Sequence, residues 1–143
     1  ITSGTDINSG IKRFQEINRN KFFDRWQDEL ATQPPPLSDP NNIRALNKAR
    51  DHRLKGRILV IDAYTPEPDQ DSGSLRLRYL LACFDNLGYG VTFFADNRGY
   101  AGSYTLDLQQ AGVEVIYNPW LESLHHFFGE RGSEFNFVMI SRH

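Results

Sequence analysis

The sequence predicts an α/β fold in which a parallel β-sheet is flanked by helices. From Gly56 onwards, short apolar runs alternate with longer segments that place apolar residues at helical spacing. Glycines follow two of these helical segments, as expected where a helix ends in left-handed geometry. Because crossovers between successive parallel strands are right-handed, this alternation builds a sheet with helices on its faces.

The first strand and helix show the pattern most clearly. The run "RILVID" is apolar enough for a strand buried on both faces. Ser72 or Ser74 is the expected N-cap of a helix that continues to about Leu87 and stops at Gly88. One face of this helix carries apolar residues at i, i+3, i+4 and i+7: Leu77, Leu80, Leu81 and Phe84.

The remaining elements continue the alternation. The runs "GVTFFA", "VEVIY" and "FNFVMIS" are the next three strands. Between them, "SYTLDLQQAG" predicts a helix that ends at Gly112, and "WLESLHHFFGERG" predicts an irregular helix. The order β-α-β-α-β-α-β is a Rossmann-like parallel sheet with flanking helices, covering residues 56–143.

Residues 1–55 have a different character and form a helical segment with a proline-rich linker. The stretch "NRNKFFDRWQDELATQ" spaces its large apolar residues as an amphipathic helix does. "QPPPLSDPNN" then lacks backbone donors at its prolines and is a linker. The basic stretch "ARDHRLKGR" is expected to be a solvated lead-in to the first strand, with phosphate binding as the alternative.

Composition excludes several classes of function. The chain has 143 residues, a net charge of -2 and a single cysteine, Cys83. This charge gives no general attraction to nucleic acid, and one cysteine excludes an internal disulfide. No apolar run is long enough to cross a bilayer, and the first ten residues lack a signal-peptide core. We expect a cytoplasmic location, including the inner face of the membrane.

The two ends of the sequence suggest a piece of a longer protein. The chain begins at Ile1 rather than Met, and it stops at His143 directly after a strand-like run. Rossmann-like domains often have five or six strands, so we expect the domain to be incomplete at its C-terminus. An unpaired fourth strand of this kind could pair with a second copy of the chain.

Any ligand site belongs beyond the carboxyl ends of the parallel strands. Known phosphate-binding motifs are not found there: only Gly73 stands where a G-x-G-x-x-G motif would be, and no P-loop is present. A phosphorylated receiver domain is disfavoured too, because the third strand ends in "IYNP" without an aspartate nucleophile.

The stretch "DSGSLR" remains the strongest candidate. Gly73 lies at or near a helix N-terminus, where free backbone amides favour an anion or a sugar hydroxyl. Ser72 and Ser74 can cap the helix or bind a ligand, and Arg76 in the first turn can reach a carboxylate or phosphate. The alternative is that Asp71 and Ser72 only cap the helix and Arg76 is a surface cation.

Two acidic residues stand at strand ends and are candidate functional groups. Asp62 ends the first strand and could act as a general base, although pairing with a nearby cation is the commoner role. Asp96 ends the second strand and could contact a ribose, against an Asx turn in "ADNRG".

The sequence contains other reactive or aromatic side chains that could have a function. The neighbours His125 and His126 point in different directions on a helix and do not predict a zinc site, and His143 is the terminal residue. Cys83 is expected to be a small packed side chain rather than a nucleophile. Trp120 could stack on a sugar ring, although covering the edge of the sheet is the favoured role.

Residues 57–142 resemble the N-terminal domain of bacterial glycosyltransferases with two Rossmann-like domains, the GT-B family 4 group. The resemblance rests on the apolar first strand, the loop "P-x-P-D-x-D-S-G-S-x-R", a helix ending in "LGY", and "VTFFADN". It continues through "Y-T-L-D-L-Q-Q-A-G-V-E-V-I-Y-N-P" to the closing "F-N-F-V-M-I-S-R". More weakly, "INRNKFFDRWQDEL" is similar to the trailing helix of a family 2 glycosyltransferase domain.

The resemblance implies transfer of a sugar from a nucleotide-sugar donor to a glycan or lipid-linked acceptor in surface-polysaccharide synthesis. The N-terminal domain would mainly bind the acceptor, a C-terminal domain would bind the donor, and neither a cofactor nor a metal would be obligatory. Substrate-binding residues carried over are Ser72, Gly73, Ser74, Arg76, Ser141 and Arg142.

Two expectations remain open. No donor-binding domain or paired-glutamate motif is present in this sequence, so the isolated chain is expected to be inactive and its catalytic residues are not assigned. The alternative function is a non-catalytic Rossmann-like module for binding or assembly.

Overall fold

The computed structural model describes residues 10–120 and 123–142 of the chain. The chain divides into two compact units, Ile1–Ser38 and Asp39–His143. In the first unit, helix α1 spans Gly10–Ala31, which confirms the predicted helix. None of its residues is buried, and its large apolar side chains, among them Phe22 and Trp26, are exposed.

The second unit begins at Asp39, well before the first strand, which begins at Gly56. Residues 32–42, all of which are described, form turns and extended chain without a helix or strand, in line with the proline-rich sequence. A short helix α2 follows at Ile43–Arg50, and the side chain of Asn42 caps it by accepting from the amide of Ala45. The unit therefore includes residues that the sequence assigned to the linker.

In the part of the chain that the structure describes, the sheet has four strands, all parallel, in the order β3-β2-β1-β4. Its elements are β1 (Gly56–Asp62), α3 (Ser72–Asn86), β2 (Tyr89–Ala95), α4 (Ser103–Gln110), β3 (Glu114–Ile116), α5 (Leu124–Arg131), a 3-10 turn (Gly132–Glu134) and β4 (Phe137–Ile140). This architecture confirms the predicted Rossmann-like α/β fold. The central strand β1 pairs with β2 on one side and with β4 on the other.

The core lies on both faces of the sheet, because alternate residues of β1 point to opposite sides. On one face, Ile58 and Val60 pack with α3 and α4 through a cluster that includes Leu77, Leu81, Phe93 and Leu108. On the other face, Leu59 packs with Phe94, Ile116 and Phe127 of α5. Burial on both faces explains why "RILVID" is apolar without alternation.

Helix α3 begins differently from the expectation. Its N-cap is Asp71 rather than Ser72 or Ser74, since an Asp71 carboxylate oxygen accepts from the amide of Ser74 at 2.8 Å. The helix ends as predicted, with Gly88 at φ +87° in the left-handed region.

The basic lead-in to β1 is solvated as expected at Arg50, His52, Arg53 and Lys55, which are exposed, but Arg57 departs from that expectation. Arg57 is buried, and its guanidinium donates to both carboxylate oxygens of Asp51 at 2.7 Å, to Thr92 at 2.9 Å and to Glu114 at 3.0 Å. Arg131 of α5 donates to the same Glu114 at 3.0 Å. These residues form a partly buried ion-pair network at the amino ends of the strands, opposite to the carboxyl ends where the sequence favours a ligand site.

Candidate functional site

Backbone hydrogen bonds hold the chain segments together beyond the carboxyl ends of the strands. The amide of Asp96 donates to the carbonyl of Asp62 at 2.8 Å, and the amide of Ser141 donates to that of Ile61 at 2.8 Å. The loops after β1, β2 and β4 therefore begin side by side. The residues that follow β4 lie next to the residues that follow β1, as parallel pairing requires.

Arg142 connects the end of β4 to the end of β1. Its Nε donates to both carboxylate oxygens of Asp62 at 3.2 Å. Asp62 is fully buried, and it also accepts from the amide of Ala63 at 2.7 Å. A buried carboxylate requires such partners, so Arg142 balances a charge that the fold has removed from water.

The outer nitrogens of Arg142 reach the start of α3. Nη1 donates to Asp71 and Nη2 to the hydroxyl of Ser74, each at 3.3 Å. Ser74 in turn donates its hydroxyl to Asp71, and this hydrogen bond lowers the pKa of the Asp71 carboxyl. Asp62, Asp71, Ser74 and Arg142 are called the Arg142 cluster below.

A cavity of about 420 Å³ opens beside the Arg142 cluster. It is called the Gly73 cleft, and its lining residues are Gly73, Arg76, Leu77, Leu80, Met139, Ser141 and Arg142. Gly73 allows Asp71 and Arg142 to approach the chain closely: a Cβ at this position would lie 3.0 Å from an oxygen of Asp71 and 3.2 Å from Nη1 of Arg142. The cleft therefore combines an apolar floor with two guanidinium groups.

The structure gathers the residues selected from the sequence but gives them different positions. Gly73, Arg76, Ser141 and Arg142 line the Gly73 cleft. Ser74 is buried within the Arg142 cluster. Ser72 is exposed in the first turn of α3 and is not among the lining residues of the cleft.

Charges around the cleft are largely balanced by the chain itself. Arg142 contacts two carboxylates, and Asp71 occupies the N-terminus of α3, where free amides would otherwise attract an anion. Within the described residues, no carboxylate lies within ion-pair distance of Arg76, which is exposed. Arg76 is thus the cation of the cleft whose charge is left for a ligand.

The sequence indicates only some of the contacts that Asp62 and Asp71 make. A general base needs a free oxygen, but Arg142 occupies both oxygens of Asp62, so local ion pairing is its role here. The spacing of Asp71 and Ser74 is the usual capping spacing and indicates the helix start. Nothing local indicates that Arg142, far along the chain, reaches both carboxylates.

The other candidates lie apart from this cleft. Cys83 is exposed on α3, so the expectation of a packed thiol is wrong; its helix position faces away from the core residues Leu77 and Leu81. Asp96 is exposed, and the Asx turn is made by Asn97, whose side chain accepts from the amide of Gly99. His143 lies outside the described residues.

Two further candidates lie near the opposite edge of the sheet. His126 has Nε2 3.4 Å from a carboxylate oxygen of Glu130 one helical turn away. From the sequence, the favoured role of Trp120 was to cover the edge of the sheet. This expectation is wrong, because 78% of the residue is exposed. No group of three possible ligands in residues 10–120 and 123–142 is arranged to hold a metal ion.

Comparison of the chain with family models, with curated proteins and with solved structures finds no match. In the described part of the chain, no helix is both long and apolar enough to cross a membrane.

Proposed function

We propose that this chain is the acceptor-side domain of a glycosyltransferase with two Rossmann-like domains. The enzyme would move a sugar from a nucleotide-sugar donor to a glycan or lipid-linked acceptor in surface-polysaccharide synthesis. The observation that carries the proposal is the Gly73 cleft, where the "DSGSLR" loop meets Ser141 and Arg142. These are separate motifs of the resemblance, and they line one cavity at the carboxyl edge of a parallel sheet.

The balance of charge favours the acceptor over the donor as the ligand of the cleft. A donor diphosphate needs several uncompensated cations or free helix amides. Here Asp62 and Asp71 offset the charge of Arg142, and Asp71 caps the helix. With Arg76 as the cation that remains, the cleft suits a glycan that carries at most one negative charge.

The donor site would belong to a second domain facing this cleft. Catalysis in such an arrangement depends on positioning the acceptor hydroxyl and stabilising the departing diphosphate. This chain would contribute the positioning, through Gly73 and Arg76. The proposal includes a cytoplasmic location, at the inner face of the membrane when the acceptor is lipid-linked.

The test measures binding and transfer separately. Calorimetry with neutral and glucuronate-terminated oligosaccharides should show saturable binding, whereas UDP-sugars should bind more weakly. Arg76→Ala should weaken binding of the glucuronate-terminated ligand by roughly tenfold, the effect of losing one charged hydrogen bond. Arg78→Ala, two positions along α3 and outside the cleft lining, is the matched control. Tighter binding of UDP-sugars, or equal loss in both variants, would contradict an acceptor site.

Transfer by the isolated chain should be absent with a panel of nucleotide sugars, because the donor half of the site is missing. Clear turnover by this chain would overturn the division of labour that we propose.

A non-catalytic binding module is the second candidate, and one observation favours it. Both carboxylates nearest the cleft, Asp62 and Asp71, are engaged by Arg142, which leaves neither free to deprotonate a hydroxyl. Assaying the complete gene product distinguishes the two functions. Transfer supports the enzyme, whereas glycan binding without transfer supports the module.

A further inference from the structure

A second cavity, of about 550 Å³, lies at the opposite edge of the sheet, between β3 and α5. It is called the Trp120 groove, and its lining includes Gln109, Tyr117, Trp120, His126, Glu130 and Arg131. It shares no lining residue with the Gly73 cleft, and two strands separate β3 from β4 in the sheet. The two cavities are therefore separate sites.

Trp120 is held in place while its ring remains exposed. Its amide donates to the carbonyl of Tyr117 at 2.9 Å, and the amide of Asn118 donates to the carbonyl of Arg98 at 3.0 Å. The ring of Tyr117 packs against Tyr100 with centroids 5.1 Å apart. Trp120 is 78% exposed and lines the groove, so its aromatic face is available to stack on a ligand.

Polar groups with different hydrogen-bonding capacities face the same groove. Glu130 can only accept, Gln109 can donate and accept, and the ring nitrogens of His126 take either role according to tautomer. A flat aromatic face beside such a mixed set matches a pyranose. Weakly positive C–H groups on one face of the sugar meet the negative face of the indole, and its hydroxyls both donate and accept.

Charge determines which sugars fit. Arg131 donates to Glu114 at 3.0 Å and to Glu134 at 2.8 Å, so its positive charge is offset by two carboxylates. Glu130 adds a negative charge to the wall. Phosphorylated or uronic sugars would be repelled, whereas an uncharged glycan would not.

We propose that the Trp120 groove is a binding site for a neutral oligosaccharide. One pyranose ring stacks on Trp120, and its hydroxyls bond with Gln109, His126 and Glu130. The site does not depend on sugar transfer at the Gly73 cleft, because none of its residues lies there.

The first experiment measures binding through the fluorescence of Trp120. The sequence contains two tryptophans, so Trp26→Phe leaves Trp120 as the sole indole. Titrating this variant with neutral gluco-, galacto- and manno-oligosaccharides should give a saturable fluorescence change with at least one of them. The corresponding uronate oligosaccharides should give none.

Calorimetry on the full chain then measures how much individual residues contribute to binding. Trp120→Ala should weaken binding of the responding oligosaccharide by roughly tenfold or more, and Glu130→Gln by several-fold. Tyr79→Ala, which removes an exposed aromatic of α3 outside the groove, should bind as the wild type does. Circular dichroism verifies that each variant is folded.

Two results would overturn the proposal. One is the absence of a saturable response to every neutral oligosaccharide. The other is undiminished binding by a folded Trp120→Ala variant.

Discussion

At the scale of single residues, arginine side chains stabilise acidic groups that folding removes wholly or partly from water. Arg142 pairs with the buried Asp62 at the carboxyl ends of the strands, and Arg57 pairs with Asp51 at the amino ends. In each place the cation is a planar guanidinium that donates to several oxygens at once. The same residue type therefore has a structural role at one end of the sheet and lines a candidate site at the other.

The ion-pair network at the amino ends of the strands makes the free energy of unfolding depend on pH in the acidic range. Burial raises the pKa of Glu114, but hydrogen bonds from Arg131 and Thr92 outweigh it and lower the pKa below its ordinary value. Burial likewise raises the pKa of Asp51, and the hydrogen bonds from Arg57 and Arg50 again leave it well below its ordinary value. Both groups are charged in the folded state at pH values where they would already bind protons when unfolded.

We therefore expect the free energy of unfolding to be constant near neutrality and to fall as the pH drops below about 5, where unfolded Asp and Glu begin to bind protons. In Glu114→Gln this fall should be shallower, and at pH 7 the variant should be less stable by about 1–3 kcal/mol, because Arg131 loses a charged partner. Urea unfolding at pH values from 7 to 3 measures both effects.

Asp85→Asn, on the exposed side of α3, is the control for that experiment and should keep the wild-type pH profile. A Glu114→Gln variant as acid-sensitive as the wild type would show that the network contributes nothing to the pH dependence.

At the scale of elements, strand β4 stands out because it is apolar but uncovered. The exposed fractions of Phe137, Val138 and Ile140 are 59%, 50% and 63%. Among the strands of the described residues, β4 lies at the edge of the sheet and pairs with β1 alone. Unpaired edges with apolar side chains readily pair with another chain.

We expect the chain to self-associate through β4, two copies pairing edge to edge about a two-fold axis. Sedimentation velocity over a range of concentrations should show a reversible dimer. Val138→Lys should shift the equilibrium to monomer, because a charge on the edge strand disfavours pairing. Leu106→Lys places the same charge on an exposed apolar position of α4 and should dimerise as the wild type does. A monomer at all concentrations would contradict the expectation.

The helices illustrate which element boundaries local chemistry determines. Gly88 and Gly112 end their helical turns at positive φ, as the sequence indicated. The start of α3 at Asp71 was less certain, since Asp71, Ser72 and Ser74 all have side chains that can cap. The carboxylate of Asp71, which caps the helix, also accepts a hydrogen bond from Arg142 of another segment.

At the scale of the whole molecule, β1 is the element that connects the two halves of the core. Its alternate residues supply Ile58 and Val60 to one face and Leu59 to the other. Both faces are closed by helices, as in other parallel sheets. Removing one of these side chains therefore affects the stability of the entire second unit.

Leu59→Ala should lower the free energy of unfolding by about 2–5 kcal/mol, because it leaves a cavity between Phe94 and Phe127 in a fully buried site. Leu106→Ala, on the exposed side of α4, should change it by less than about 0.5 kcal/mol. Chemical denaturation followed by circular dichroism measures both. Equal effects of the two changes would show that β1 is not the centre of the core.

The sequence by itself determined the order and type of the elements from Gly56 to Ile140, since apolar spacing and glycine stops act over a few neighbouring residues. It also indicated the side of the sheet on which the candidate site lies, because ligands of open parallel sheets bind beyond the carboxyl ends of the strands.

Only the tertiary structure decided how charge is distributed in that site and in the ion-pair network at the amino ends of the strands. The pairing of β4 with β1 brings Arg142 to Asp62 and Asp71, and the pairing of β3 with β2 brings Glu114 to Thr92 and Arg57. These contacts join residues that are distant along the chain. Their geometry depends on the register of neighbouring strands, which no local pattern of side chains specifies.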